Sequence, residues 1–436
     1  MSIALVSGLI IAVVLIVLLL VGIPISIALG VSSILAILPA LNFDAAVLTG
    51  AQRTFSGISV FTLIAIPFFI LAGNIMNKGG IAIRLINFAK VLTGRVPGAL
   101  AHTNSIANMM FGAISGSGVA AASAMGTMIG PIAEKDGYDR DYMATVNIAT
   151  APTGLLIPPS NVLITYSLVS GGTSVAALFM AGYIPGFLWG LSCMIVAYFI
   201  ARKKGYRSKE RVTLKQGLKV TLDAIPSLLL ILIVIGGIIA GIFTATEGSV
   251  VAVVYSLILS LFFYKTIKFK DLYGIFKESA EMTGIIVFLI GVSSIMAWVM
   301  AFTGIPTAIS KALLGVSNSP IVILLIINIV LLFVGTFMDI TPAILIFTPI
   351  FLPICKSFGM SPIQFGIMMT FNLCIGTITP PVGNILFVGV KVAKTKIENV
   401  MKKLVPYYVA IFIVLLLTTY VPKVSMWLPL LMGYNK

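Results

Sequence analysis

The sequence predicts an all-α polytopic membrane protein built from two inverted repeats. Of its 436 residues, 59% are hydrophobic and only 9% are charged, and the mean hydropathy is +1.14. Soluble domains carry about 25% charged residues, so this composition indicates a chain that resides in lipid. Two apolar segments interrupted by prolines indicate the repeat. Loops of opposite charge bias indicate that its two copies are inverted.

The interrupted segments are 147–161 and 376–384, and both contain a Pro-Pro pair. Proline has no amide hydrogen, and carbonyl groups freed inside lipid cost several kcal/mol each unless something binds them. Paired breaks of this kind indicate the binding site of a secondary transporter. An offset of 222 relates Pro131 to Pro353, Gly137 to Gly359, Gly154 to Gly376, Pro158 to Pro380, and Pro159 to Pro381.

The first repeat is predicted over residues 1–201. Apolar stretches of about 20 residues are read as spans, and a one-sided apolar stripe is read as a helix in the membrane interface. Two short arms around Ser-Gly-Ser-Gly are read as a re-entrant hairpin. The predicted order is a long helix over 5–38 bent near Gly22 and Pro24, a span over 57–77, an interfacial arm over 80–95, the hairpin over 98–133, a broken helix over 139–168, and a span over 174–201.

A basic loop over 202–223 separates the halves and is predicted to be cytoplasmic. The second repeat, over 224–436, is predicted to follow the same order as the first. Its predicted elements are spans over 224–243 and 246–264, a mixed-charge loop to Glu281, a span over 283–302, a surface segment over 303–317, a hairpin over 318–358, a broken helix over 362–392, and a last span over 403–421.

Loop charge predicts the orientation, because positive residues concentrate on the cytoplasmic side. The turn 169–173 has no Lys or Arg, whereas the stretch after the second broken helix includes Lys391, Lys394 and Lys396. Corresponding loops therefore have opposite bias. We expect a cytoplasmic N-terminus and a C-terminus on the outer face.

Each hairpin tip is expected to meet the break in its own half, where hydroxyls, glycines and unwound carbonyls would suit a desolvated alkali cation. Small residues at helix contacts also serve close packing alone. The first-half sodium ligands are predicted to be Ser115, Gly116, Ser117, Thr150 and Gly154, with Thr153 beside them. Those of the second half are Gly335, Asp339, Thr341, Gly376, Thr377 and Thr379. An anionic substrate, with no Lys or Arg near the breaks, is assigned to Ser160, Asn161 and Asn384.

Asp339 is the only carboxylate at a predicted hairpin tip. An ionisable residue inside a membrane indicates function, here a part in cation binding or coupling. The alternative is a structural cap for the helix that follows, since Asp is a favoured N-cap residue. Sodium is preferred to protons as the coupling ion, because a proton relay usually needs several buried Asp, Glu or His.

At these residues the chain resembles the large membrane subunit of tripartite ATP-independent periplasmic (TRAP) transporters, the DctM-like family. The motifs are the hairpin from Gly112 to Pro131, Gly-Leu-Leu-Ile-Pro-Pro-Ser-Asn at 154–161, Gly-Thr-Phe-Met-Asp-Ile-Thr-Pro at 335–342, and Gly-Thr-Ile-Thr-Pro-Pro-Val-Gly at 376–383. The resemblance covers essentially the whole chain.

The resemblance implies an importer of the bacterial or archaeal inner membrane. It implies two partners, a small four-helix membrane subunit and a soluble periplasmic binding protein. It also implies sodium-driven uptake of organic acids such as C4-dicarboxylates or sialic acid. Within the family, the overall resemblance favours the sialic acid branch. The related ion-transporter folds imply an elevator, in which hairpins and broken helices move against a scaffold.

Other functions remain open at this point. A stand-alone sodium–dicarboxylate symporter would have a similar architecture, and an ion channel would also be polytopic. An intramembrane hydrolase using Ser115 or Ser117 would need a base, and His102 is the single histidine. With one histidine and three scattered cysteines, Cys193, Cys355 and Cys374, neither an enzyme nor a transition-metal site is expected.

Overall fold

The computed structural model describes residues 2–94, 96–206, 213–317 and 319–434. Over these ranges the chain is helical between short turns and contains no strand. Nine helices within them are long and apolar enough to cross a membrane. The predicted all-α polytopic fold is therefore confirmed.

The first repeat contains eleven helices in the described ranges. They are α1 (Ile3–Leu20), α2 (Ile25–Ile37), α3 (Phe43–Ile58), α4 (Ala65–Lys78, after a 3-10 turn at Phe61–Ile64), α5 (Ile81–Thr93), α6 (Ala99–Ser115), α7 (Gly118–Lys135), α8 (Arg140–Thr150), α9 (Thr153–Leu156), α10 (Asn161–Val169) and α11 (Val175–Lys204).

The second repeat contains ten helices in the described ranges and follows the order of the first from its arm onward, with a hairpin, a broken helix and a span. Its helices are α12 (Leu214–Ile239), α13 (Ala245–Ile258, continued by a π-helical turn at Leu259–Phe263), α14 (Phe269–Thr303), α15 (Ile305–Val316), α16 (Pro320–Phe337), α17 (Ile340–Ser357), α18 (Pro362–Gly376), α19 (Asn384–Val392), α20 (Ile397–Tyr420) and α21 (Pro422–Leu431). Adding 222 to the bounds of α7 gives the bounds of α17, so the repeat extends to whole helices.

The predicted long first helix over 5–38 is wrong, because α1 and α2 are separate helices packed against each other. Pro24 lacks the amide that would continue α1, and Gly22 adopts a positive φ of 85° in the connection. α2 then packs on α14, where a Cβ on Gly30 would lie 3.0 Å from Val292 Cγ1. Continuous apolar sequence concealed this reversal of the chain.

The predicted mixed-charge loop before Glu281 is also wrong, because α14 already begins at Phe269. Its 35 residues span about 52 Å at 1.5 Å per residue, which exceeds the roughly 30 Å hydrocarbon layer. The polar first turns can therefore extend beyond lipid while remaining helical. They pair with α4, since Lys78 Nζ lies 2.6 Å from Glu278 Oε2.

The ends of the predicted basic loop over 202–223 are helical as well. Residues 202–204 close α11 and residues 214–223 open α12. Residues 207–212 of that loop lie outside the described residues. The helices α3 and α21 had no counterpart among the predicted elements.

The two repeats interlock around the hairpins. α10 of the first repeat packs on α17 of the second, and α19 of the second packs on α7 of the first. A Cβ on Gly118 would lie 2.4 Å from Ile385 Cδ1, which shows how closely α7 and α19 approach. Tyr166 on α10 donates a hydrogen bond of 2.6 Å to the carbonyl of Pro362 at the start of α18. Both hairpins and both broken helices thus form one packed unit.

Candidate functional site

Each hairpin meets the break of its own repeat through a pair of glycines. A Cβ on Gly154 would lie 2.2 Å from the Gly112 carbonyl carbon, and a Cβ on Gly376 would lie 2.2 Å from that of Gly335. Backbone therefore contacts backbone at both places, and neither position has room for a side chain. The structure confirms that each tip meets its own break. Gly112 was absent from the predicted site, although it makes the same contact as Gly335.

The first break separates α8 from α10 and is buried. Thr150 Oγ1 donates to the Val146 carbonyl at 2.8 Å and accepts from Asn108 Nδ2 at 2.9 Å. Thr153 Oγ1 donates to the Thr150 carbonyl at 2.6 Å. Both hydroxyl hydrogens are thus directed to backbone oxygens, and the hydroxyl oxygens keep lone pairs for other partners.

The first tip places Ser115, Gly116 and Ser117 beside Asn161 at the start of α10. Ser115 Oγ lies 3.3 Å from the Ser117 carbonyl, and Ser117 Oγ accepts from the Ala120 amide at 3.2 Å as the N-cap of α7. Gly116 adopts a φ of 61°, and a Cβ there would lie 2.6 Å from Asn161 Nδ2. Asn161 Oδ1 is buried without a hydrogen-bond partner in the described part of the chain. An unpaired amide oxygen thus lies beside the tip.

Ser160 lies at the same break but uses its hydroxyl to cap α10. Its Oγ donates to the Leu155 carbonyl at 2.5 Å and accepts from the Leu163 amide at 3.4 Å. The residue is fully buried. These bonds explain how α10 begins immediately after the Pro-Pro pair.

The second break separates α18 from α19. Thr377 Oγ1 donates to the Cys374 carbonyl at 2.6 Å, and Thr379 Oγ1 donates to the Ile375 carbonyl at 2.8 Å. The Val382 amide donates to the Thr336 carbonyl at 3.1 Å, which joins this break to the second tip. Asn384 begins α19 and is exposed, unlike Asn161 in the first repeat.

Asp339 occupies the N-cap position of α17, but its side chain makes no capping hydrogen bond there. The capping alternative is therefore wrong. The carboxylate is exposed to a cavity of about 1110 Å³ between α1, α15 and the second hairpin. Apolar side chains such as Leu15 and Phe337 form most of its wall. Thr341, two residues later, is half-buried.

Buried asparagines support both breaks, and the sequence reasoning missed their role. Asn108 lies between Asn147 and Thr150 in the first repeat. In the second repeat, Asn372 Nδ2 donates to Asn328 Oδ1 at 2.6 Å. Asparagine within an apolar helix is itself a signal, because an amide buried away from water requires hydrogen-bond partners.

The comparison with known proteins identifies the family. A family model described as "Tripartite ATP-independent periplasmic transporter, DctM component" matches residues 12–424. The chain belongs to the DctM family of TRAP transporters. The predicted resemblance is confirmed, and the relatives whose names state a function are TRAP transporter permeases rather than enzymes. The intramembrane hydrolase is therefore excluded.

Curated relatives match most of this chain. The uncharacterized protein YgiK of Salmonella typhimurium is 54% identical, with 94% of each chain covered. The C4-dicarboxylate TRAP transporter large permease protein DctM of Vibrio cholerae is 39% identical, with 95% of each covered. The sialic acid TRAP transporter large permease protein SiaM of the same organism is 36% identical, with 88% of this chain and 90% of the relative covered. The sialic acid branch is thus one of several similar branches.

A solved structure shares the fold. The YdaH transporter of Alcanivorax borkumensis superposes with a TM-score of 0.66 over 100% of both chains, at 12% sequence identity. This likeness shows the fold of the chain and carries no information on its substrate.

Proposed function

We propose that this chain is the permease of a sodium-driven importer of organic acids in the bacterial inner membrane. It works with a small four-helix membrane subunit and takes substrate from a periplasmic binding protein. Family membership supports the tripartite assembly. The names of the relatives, which include C4-dicarboxylate and sialic acid permeases, support an organic acid as the substrate class.

The observation that carries sodium coupling is the unpartnered Oδ1 of Asn161 at the first tip, a residue that the sequence had assigned to the substrate. A buried acceptor without a donor costs about 1–3 kcal/mol. A desolvated Na⁺ held by this oxygen, the Thr150 and Thr153 oxygens and the tip around Ser115 would remove that cost. At the second tip, Asp339 and the oxygens of Thr377 and Thr379 would hold a second ion near Thr341. Binding would fix each tip to its break.

Alternating access would follow from the packing of the two hairpins. The interlocked elements α6–α10 and α16–α19 would move as one body against α1–α4 and α12–α14, which is an elevator motion. Asn384, which is exposed at the start of α19, would contact the carboxylate substrate, and the buried Ser160, whose hydroxyl caps α10, would hold the start of that helix in place. We expect the N-terminus in the cytoplasm and the C-terminus in the periplasm.

Reconstitution tests this function. The chain is placed in vesicles with a small membrane subunit and a periplasmic binding protein from the same organism, and labelled organic acids are screened with a sodium or a potassium gradient. We expect uptake that requires sodium and both partners. Uptake by the chain alone would favour the stand-alone symporter, and uptake indifferent to sodium would contradict the coupling.

The asparagine pair gives a matched control. Asn161→Ala removes the buried oxygen, and a loss of about 1–3 kcal/mol in ion binding should raise the sodium half-saturation about fivefold to 150-fold. Asn384→Ala alters the exposed counterpart. It should change sodium half-saturation by less than about twofold and raise the substrate concentration at half-maximal uptake. Equal sodium effects in both variants would contradict the assignment.

Orientation has a separate test. A cysteine at Gly172 should react with an impermeant thiol reagent from the periplasmic side alone. A cysteine at Ser208, which lies outside the described residues, should react from the cytoplasmic side alone. Reaction of both from one face would contradict the inverted topology.

A further inference from the structure

A second, smaller cavity lies at the open end of the first hairpin. Its volume is about 280 Å³, and it is bounded by α7, α8 and the end of α19, with Asn104 of α6 and Asn147 of α8 in its wall. Asn104 is 1% exposed and Asn147 is 2% exposed, so the cavity reaches deeply buried amides. At its mouth, Arg140 pairs with Glu134, and Lys394 is exposed.

The buried amides connect this cavity to the first break. Asn108 Nδ2 lies 2.9 Å from Asn104 Oδ1, 3.0 Å from Asn147 Oδ1 and 2.9 Å from Thr150 Oγ1. The Asn147 carbonyl oxygen is a fourth acceptor, at 3.3 Å. An amide nitrogen has two hydrogens, so these four acceptors exceed what it can satisfy.

The same cluster contains another free acceptor. Asn108 is fully buried, and its Oδ1 has no hydrogen-bond partner among the described residues. A chain of under-satisfied oxygens therefore runs from the cavity to Thr150. Such a row of oxygens can bind water or a monovalent cation, because neutral oxygens carry partial negative charge and have lone pairs available.

The second repeat shows that the fold does not require this cavity. Gly112 and Gly335 relate α6 to α16 at an offset of 223, so Ile327 replaces Asn104. The offset of 222 replaces Gly130 by Leu352 and Asn147 by Met369. Leu352 and Met369 are buried. Tyr166 completes the filling, since a Cβ on Gly366 would lie 2.4 Å from Tyr166 Cε1. The place that is polar and open in one repeat is apolar and packed in the other.

We propose that this cavity is a hydrated path through which the cation at the first tip exchanges with the side on which α7 joins α8, predicted to be cytoplasmic. The path rests on the proposed sodium coupling. Asn104, Asn108 and Asn147 replace part of the ion's hydration along it. The Arg140–Glu134 pair is bidentate, with bonds of 2.5 and 3.1 Å, and contributes no net charge at the mouth.

Thiol labelling tests the path without reference to sodium. A Cβ on Gly130 would meet no atom within 4 Å, so Gly130→Cys enters the cavity without a clash. The native cysteines are buried and give a low background. In vesicles of the assembled transporter, a small charged thiol reagent should modify the Gly130→Cys variant from the predicted cytoplasmic face at least tenfold faster than the Leu352→Cys variant. Equal rates would overturn the hydrated cavity.

Filling the cavity tests its role in ion movement. Gly130→Leu should slow the release of radioactive sodium toward that face at least tenfold, while sodium half-saturation at equilibrium changes less than twofold. Gly130→Ala, which leaves most of the space open, should match the wild type. Sodium release in Gly130→Leu as fast as in wild type overturns the path. Absence of sodium flux in the wild type instead contradicts the coupling itself.

Discussion

The two helix breaks share their element order, yet one is enclosed and the other is open. Ser160 in the first break is fully buried, whereas Val382, 222 positions later, is 41% exposed. α11 covers the first break, since a Cβ on Gly182 would lie 2.2 Å from the Leu156 carbonyl oxygen. The second break faces the large apolar cavity, and Asn384 is exposed beside it.

The internal repeat has thus preserved its backbone contacts more strictly than the residues that surround them. Gly112–Gly154 and Gly335–Gly376 are nearly the same contact, because both need backbone to touch backbone. The polar groups around them have diverged. The first tip presents neutral oxygens such as Asn161 Oδ1, whereas the second presents the carboxylate of Asp339. We therefore expect the two sites to differ in ion affinity and in access.

We expect the strongest loss of uptake from substitutions at the glycine contact that both breaks share. Gly154→Ala and Gly376→Ala should each abolish uptake, because a Cβ would lie 2.2 Å from backbone that has no side chain to move aside. Overpacking of this kind costs about 1–3 kcal/mol or more. Thermal unfolding and uptake are measured for both, with Gly130→Ala as the control. A tolerated substitution at one break alone would show that the tips are not equivalent.

The next effect separates the two tips by charge. Asp339→Asn keeps the size of the side chain and removes its charge, so sodium half-saturation should rise about tenfold, or about 1.4 kcal/mol. Because Asp339 makes no capping bond, thermal stability should change by less than about 0.5 kcal/mol. Sodium-dependent uptake and unfolding are measured together. A large loss of stability with unchanged sodium dependence would restore a structural role.

Ser115→Ala is the companion substitution at the first tip, and a smaller effect is expected. Its hydroxyl makes only long contacts, of 3.3 Å to the Ser117 carbonyl, 3.5 Å to the Gly112 carbonyl and 3.4 Å from the Ser117 amide. A two- to fivefold rise in sodium half-saturation, about 0.5–1 kcal/mol, is expected. The Hill coefficient for sodium should fall if this site fills independently of the other. A rise in sodium half-saturation as large as that expected for Asp339→Asn would mean that charge does not distinguish the tips.

The smallest effect concerns the start of α8, which differs from the start of α18. Asp139 caps α8 through the Tyr142 amide at 2.7 Å, and Lys403 of α20 pairs with Asp139 and Asp141 at 2.6 and 3.3 Å. In the second repeat a neutral Ser361 caps α18. Lys403→Met should cost about 1 kcal/mol or less, because these charges are partly exposed.

The pH dependence of that cost is a further check. Desolvation raises the pKa of Asp139, but the hydrogen bonds from Lys403 and the Tyr142 amide outweigh it and lower the pKa below its ordinary value. A carboxyl with a lowered folded-state pKa stabilises above its unfolded pKa, and that contribution is lost as pH falls through the folded value. The difference in thermal midpoint between wild type and Lys403→Met should therefore shrink in acid. A difference that grows in acid would contradict the ion pair.

Local signals explain what the sequence predicted well. Proline pairs and positive-φ glycines act on their own backbone, so the breaks and the hairpin turn at Gly116 could be located closely. Contacts between distant residues left no such signal. Asn108 meets Thr150 from another helix, and α1 and α2 reverse within unbroken apolar sequence. The exposure of the second break depends on tertiary packing that no local pattern encodes.

The interlock of the repeats has a consequence for biosynthesis. α7 packs against α19, and α10 packs against α17, so each hairpin unit is completed by a helix from the other half. When the ribosome has made only the first repeat, the face of α7 at Gly118 still lacks Ile385, its later neighbour. The first repeat therefore cannot complete its packing in the membrane until α19 has been inserted. Two half-chains expressed separately should each be degraded, and expressed together they should protect one another.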